Sequence, residues 1–192
     1  MALTTYIAGE VLTAASLNDN LAYAVTVPAA VPGGLVLISA TTIGTTVGSV
    51  TVSGAFSATY DNYKIVLSDG VASANPCNLS FIFGTTATGY YWAHNGRTFT
   101  NSDDSIGAAN QSSFRAGGGS PKTLNIKMDV LAPFLSTETN FSGQYQVSTT
   151  TGSAINFGGF LDNTTSYTDF KITPTAGTLT GGTIRVYGYQ NS

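Results

Sequence analysis

One histidine, His94, and one cysteine, Cys77, limit the chemistry open to these 192 residues. A hydrolytic triad would have to use His94, and no Gly-x-Ser-x-Gly elbow or other nucleophile motif accompanies it. His94 lies in Tyr90-Tyr91-Trp92-Ala93-His94-Asn95-Gly96, which reads as a strand running into an Asn-Gly hairpin turn, so a half-exposed structural histidine is expected. Glycoside cleavage needs two facing carboxylates, but the acids are scattered among turn residues and only Asp103 and Asp104 are adjacent. That pair lacks the Asp-x-Asp-x-Asp-Gly spacing of a calcium loop, and one His with one Cys cannot build a zinc site. Gly117-Gly118-Gly119-Ser120-Pro121-Lys122 lacks Walker spacing and precedes a strand pattern, so it reads as a flexible connection and not a phosphate loop. No catalytic residue, metal or cofactor is expected.

The aromatic run offers a different chemistry. Tyr90, Tyr91 and Trp92, with His94 and Arg97 close by, provide flat apolar faces with polar edges that suit a sugar ring or a protein surface. On a strand Tyr90 and Trp92 point one way and Tyr91 the other, so at least one side of the run belongs to a core. These five residues are the candidate receptor or glycan contacts.

The elements that must carry them are mostly strands. Leu35 to Ile38 is a continuous apolar run, and alternation of period two recurs at Val47–Ser53, Tyr63–Leu67, Leu79–Phe83, Leu124–Met128, Tyr145–Val147, Ile155–Phe157, Phe170–Ile172 and Ile184–Tyr189. About ten short strands result, separated by turn signals such as Ser68-Asp69-Gly70, Thr151-Gly152 and Gly181-Gly182. That spacing predicts a mainly β fold, an antiparallel β-sandwich or jelly roll over 35–192. Asn101 to Pro121 reads as a long polar loop with one short strand near Ser113–Arg115. The one helix is expected near the start, where Thr13 caps, Leu12 staples onto Leu17, and Leu17 and Leu21 share a face with Ala24 and Val25. Its apolar stripe is narrow, and Pro28 and Pro32-Gly33-Gly34 follow it, so 1–27 reads as a docking segment, 28–34 as a linker and 35–192 as the body.

Composition narrows the partners. Charged residues make up only 9%, and Ser with Thr about a quarter, so hydroxyls and amides wet the surface. Seven scattered Lys and Arg against a net charge of −3 argue against a nucleic-acid role. No stretch nears a membrane span, and Met1–Glu10 lacks a basic, apolar leader, which predicts synthesis in the cytoplasm without membrane insertion. The sequons at Asn78, Asn110, Asn140 and Asn163 then reflect an Asn, Ser and Thr-rich chain and not glycans.

Tyr6-Ile7-Ala8-Gly9-Glu10-Val11-Leu12-Thr13-Ala14-Ala15-Ser16-Leu17-Asn18 resembles an opening segment of tailed-bacteriophage virion proteins, particularly tail fibres and other appendages. The stretch from Phe56 to Leu67 is similar to a segment of small phage structural proteins, and Gly182 to Tyr189 to their final strand; together the three cover about a sixth of the chain. The resemblance implies a β-rich, usually trimeric virion component, docked on other virion proteins through Tyr6, Ile7, Val11, Leu12, Leu17 and Leu21. The expected function is therefore non-enzymatic: a tail fibre or appendage component that meets the host surface, with its glycans as the receptor. The alternatives are a capsid decoration (cement) protein, which a short chain favours, and a glycan-cleaving appendage.

Overall fold

The computed structural model describes residues 34–190 apart from Pro76. The predicted docking segment 1–27, with its helix and the candidate residues Tyr6, Ile7, Val11, Leu12, Leu17 and Leu21, lies outside the described residues, as does all of the 28–34 linker except Gly34. The body opens where the strand pattern does, at Leu35.

Thirteen strands follow. They are β1 (Leu35–Thr42), β2 (Val50–Val52), β3 (Asn62–Ala72), β4 (Cys77–Phe83), β5 (Tyr90–Thr98), β6 (Ile106–Gln111) and β7 (Phe114–Gly119). The rest are β8 (Leu124–Leu131), β9 (Thr139–Gln146), β10 (Ser153–Leu161), β11 (Phe170–Pro174), β12 (Leu179–Thr180) and β13 (Thr183–Tyr189). Nine form one antiparallel sheet in the order β1-β13-β3-β8-β9-β10-β5-β6, with β12 beside β3, and four form a second in the order β2-β11-β4-β7. Of these strands β1, β3, β8 and β13 lie in the larger sheet and β2, β4, β7 and β11 in the smaller, so the polypeptide crosses repeatedly from sheet to sheet, and β4 and β7 pair with each other. Two hairpins, β5–β6 and β9–β10, widen only the larger sheet.

Alternation of side chains explains why the sheets form. On β3, Tyr63, Ile65 and Leu67 are buried while Lys64, Val66 and Ser68 turn outward; on β4, Leu79, Phe81 and Phe83 are fully buried. The two inner faces meet around aromatic rings. Phe114 on β7 stacks on Phe141 of β9 with ring centres 3.8 Å apart, and Phe81, Phe83 and Tyr90 surround Phe114. Burial of this apolar area, at about 25 cal/mol per Å², is the main favourable term holding the sheets together.

Three predicted turns or loops prove to be strand. Asn101 to Pro121 contains β6 and β7, and Gly117, Gly118 and Gly119 are buried rather than a flexible connection. A Cβ on Gly119 would stand 2.3 Å from Cys77 Sγ and 2.7 Å from Ala72 Cβ, so close packing, not freedom, requires glycine there. Asn95-Gly96 is mid-strand, paired with Asn156 and Ile155. Ser68-Asp69-Gly70 is a bulge inside β3: Asp69 takes a φ of 66°, a left-handed conformation that Asp tolerates better than most residues, and the register shifts between Leu67 and Gly70.

Candidate binding face

Strand β5 lies between β10 and β6 and divides the predicted contact residues between its two sides. Tyr90, Trp92 and His94 point into the molecule; Tyr91 and Arg97 point out. Tyr90 is fully buried, its hydroxyl accepting the Phe83 N–H at 2.8 Å and donating to the Thr86 carbonyl at 3.3 Å, and desolvation drives its pKa well up. Trp92 is half-buried against the core with Nε1 shielded and without a hydrogen-bond partner. His94, expected to be half-exposed, is 3% exposed because the strand continues past it to Thr98. Its Nδ1 lies 3.3 Å from the Tyr145 hydroxyl, and its Nε2 is 3.9 Å from Asp104 Oδ1, too long for a hydrogen bond. Desolvation, reinforced by the Arg115 guanidinium and only partly opposed by Asp104, holds the imidazole below its ordinary pKa. Tyr90 and His94 are therefore buried, and Trp92 packs half-buried against the core on the same side.

The outward pair is arranged differently. Tyr91 stacks on Phe160 of β10, directly opposite in register, with ring centres 5.0 Å apart and planes within 5°. Arg97 is exposed and its guanidinium donates to Asn101 Oδ1 and the Asn101 carbonyl, both at 3.1 Å. Among the described residues no three His, Cys, Asp or Glu side chains gather as metal ligands.

The register of the large sheet organises everything around Tyr91. One row of outward residues crosses β3, β8, β9, β10 and β5 as Val66, Lys127, Gln144, Asn156 and Asn95. A parallel row, four residues along the strands, runs Leu131, Asn140, Phe160 and Tyr91. Between them lie Asp129, Ser142, Gly158 and Ala93, three of which are small. Four residues of strand separate the flanking rows by about 13 Å, so the small side chains floor a trough between an amide wall and an aromatic wall. At its β3 end Lys64 Nζ pairs with Asp129 Oδ1 at 2.9 Å, and the Tyr189 hydroxyl also bonds Asp129. Burial opposes the Lys64 charge, but the Asp129 carboxylate outweighs it and the lysine pKa is raised.

Gln144, Asn156 and Lys127 carried no motif, since polar residues alternating with apolar ones read as an ordinary solvated face. The signal that was present is their chemistry: the polar outward positions of β9 and β10 are carboxamides (Asn140, Gln144, Gln146 and Asn156) and one serine, with no charge among them. Compared with family models, curated proteins and solved structures, the chain matches none of them.

Proposed function

We propose that this chain is a non-enzymatic structural protein of a tailed-phage particle, a tail fibre or tail appendage component. It docks on other virion proteins through residues 1–27, assembles as a homotrimer and turns its strand body toward the host surface. The observation that carries the reading is the path of β1–β2–β3–β4–β7–β8–β11–β13 between the two sheets, which changes sheet at every step except β4 to β7; we read it as the course of a jelly roll, an architecture used by viral coat and sugar-binding domains. Two of the three stretches that resemble phage structural proteins support it together: Phe56–Leu67 enters β3, Gly182–Tyr189 holds β13, and these strands are hydrogen-bonded neighbours. The non-enzymatic part rests on His94, whose side chain is sealed from solvent with Nδ1 beside the Tyr145 hydroxyl.

The test is location. Gold-labelled antibody against the strand body, applied to purified particles of the phage that encodes the chain, should mark the tail. Label spread over the capsid at hundreds of copies replaces the appendage with a decoration protein, and particles without the chain overturn the virion reading.

A further inference from the structure

We propose that the outer face of the nine-stranded sheet binds an acidic polysaccharide, one carrying carboxylates on its sugar rings, along the trough between the Gln144–Asn156–Asn95 row and the Phe160–Tyr91 pair. This rests on the reading of the chain as a host-contacting virion component and names what the strand body takes hold of. Three properties of the face point to that ligand.

The first is shape. Ser142, Gly158 and Ala93 leave a floor with little side-chain bulk, while longer side chains rise on both sides, and each successive strand extends the trough by about 4.8 Å. The second is hydrogen bonding. Carboxamides of Gln144, Asn156 and Asn95 each offer donors and an acceptor, matching sugar hydroxyls that both donate and accept, and Tyr91 with Phe160 gives the apolar faces of sugar rings a surface to lie on.

The third is charge. The chain carries a net charge of −3, yet four of its seven Lys and Arg, namely Lys64, Arg97, Lys127 and Arg185, lie outward on this sheet. The acids on the strands of this sheet are Asp129, already engaged by Lys64 and Tyr189, and Asp69, exposed at the bulge of β3 and off the rows. Asp103 and Asp104 sit off the rows in the connection from β5 to β6. Lys127, exposed beside Gln144, has no carboxylate partner among the described residues and is left to attract one. The uncompensated charge of Lys127 beside the trough favours an anionic ligand, and two such faces brought together would repel each other there.

The experiment measures binding of the full chain to immobilised polygalacturonate, hyaluronate and polysialate, with dextran and mannan as neutral polymers. Retention on at least one acidic polymer and not on the neutral ones is expected. Lys127→Glu and Gly158→Leu should each weaken it at least tenfold with the melting temperature unchanged. Gly158 suits this test, since a Cβ there meets its nearest atoms at 3.5 and 3.7 Å, ordinary contact, and the larger side chain fills the trough. Binding undiminished in both variants, equal binding to dextran, or no binding to any acidic polymer overturns the proposal. So does a change of oligomeric state in either variant, which makes the face a contact between copies. Particles carrying the chain while it binds no acidic glycan would leave the virion reading standing and sink this one; glycan binding by a chain that never enters particles would do the reverse.

Discussion

At the residue scale, His94 shows how burial turns a candidate functional group into a determinant of stability. An unfolded histidine takes up its proton near pH 6.5, and the folded imidazole does so at lower pH because desolvation and Arg115 disfavour its charge. Between those values the unfolded chain holds a proton that the folded chain does not. His94 therefore leaves stability intact above about pH 6.5 and erodes it as the pH falls through that value. The denaturant midpoint should drop between pH 7.5 and pH 5.5, and His94→Phe should flatten that slope, because no other histidine titrates in the window. Tyr63 gives a second residue-level expectation. Its hydroxyl donates to the Ser57 carbonyl at 2.7 Å and accepts the Ser57 N–H at 2.8 Å, tying the chain before β3 to the core. Tyr63→Phe should lower stability by about 1–2 kcal/mol, measured by urea unfolding, since it leaves both backbone groups without that partner. The aromatic character of Tyr90 to Trp92 was legible in the sequence, and so was the opposition of Tyr91 to its neighbours. Their depth was not, because period two says which residues share a side but not which side is covered.

At the scale of elements, the widest gap between expectation and structure is Asn101–Pro121. Its glycines and polar residues carry loop composition, yet β6 forms in it and the short strand expected near Ser113–Arg115 extends as β7 through Gly119, the edge of the smaller sheet packed against the larger one. Glycine serves there because no room exists for a side chain: a Cβ on Gly118 would stand 2.4 Å from Val147 Cγ2, and one on Gly117 2.6 Å from Ile126 Cδ1. The same composition thus encodes either a mobile turn or close packing, and only the facing strands distinguish them. Gly119→Ala should cost about 1–3 kcal/mol by overpacking against Cys77 and Ala72, read as a lower melting temperature in calorimetry. A flexible connection would accept the methyl group at no cost. By contrast, the apolar alternations of β3, β4, β8 and β13 translate directly into buried and outward faces, since each covers its inner side with Ile, Leu, Val, Met or aromatic residues.

At the scale of the whole molecule, the strand body from Leu35 carries its own aromatic core, so its stability should not depend on what precedes it. Deleting Met1 to Val27 should leave a soluble chain with the β-rich circular dichroism and cooperative melting of the full protein, but one that no longer enters particles. Loss of cooperative melting would make those residues part of the core and end the two-part plan. By itself the sequence determined that this protein is built of short antiparallel strands with a hydroxyl- and amide-rich surface, because local periodicity and composition are properties of the chain alone. Which outward rows stand side by side, and so the trough between amides and aromatic rings, was decided by tertiary structure. Lys127, Gln144, Asn156 and Asn95 come from four strands and share one line only because the register of each strand pair is set by what it buries.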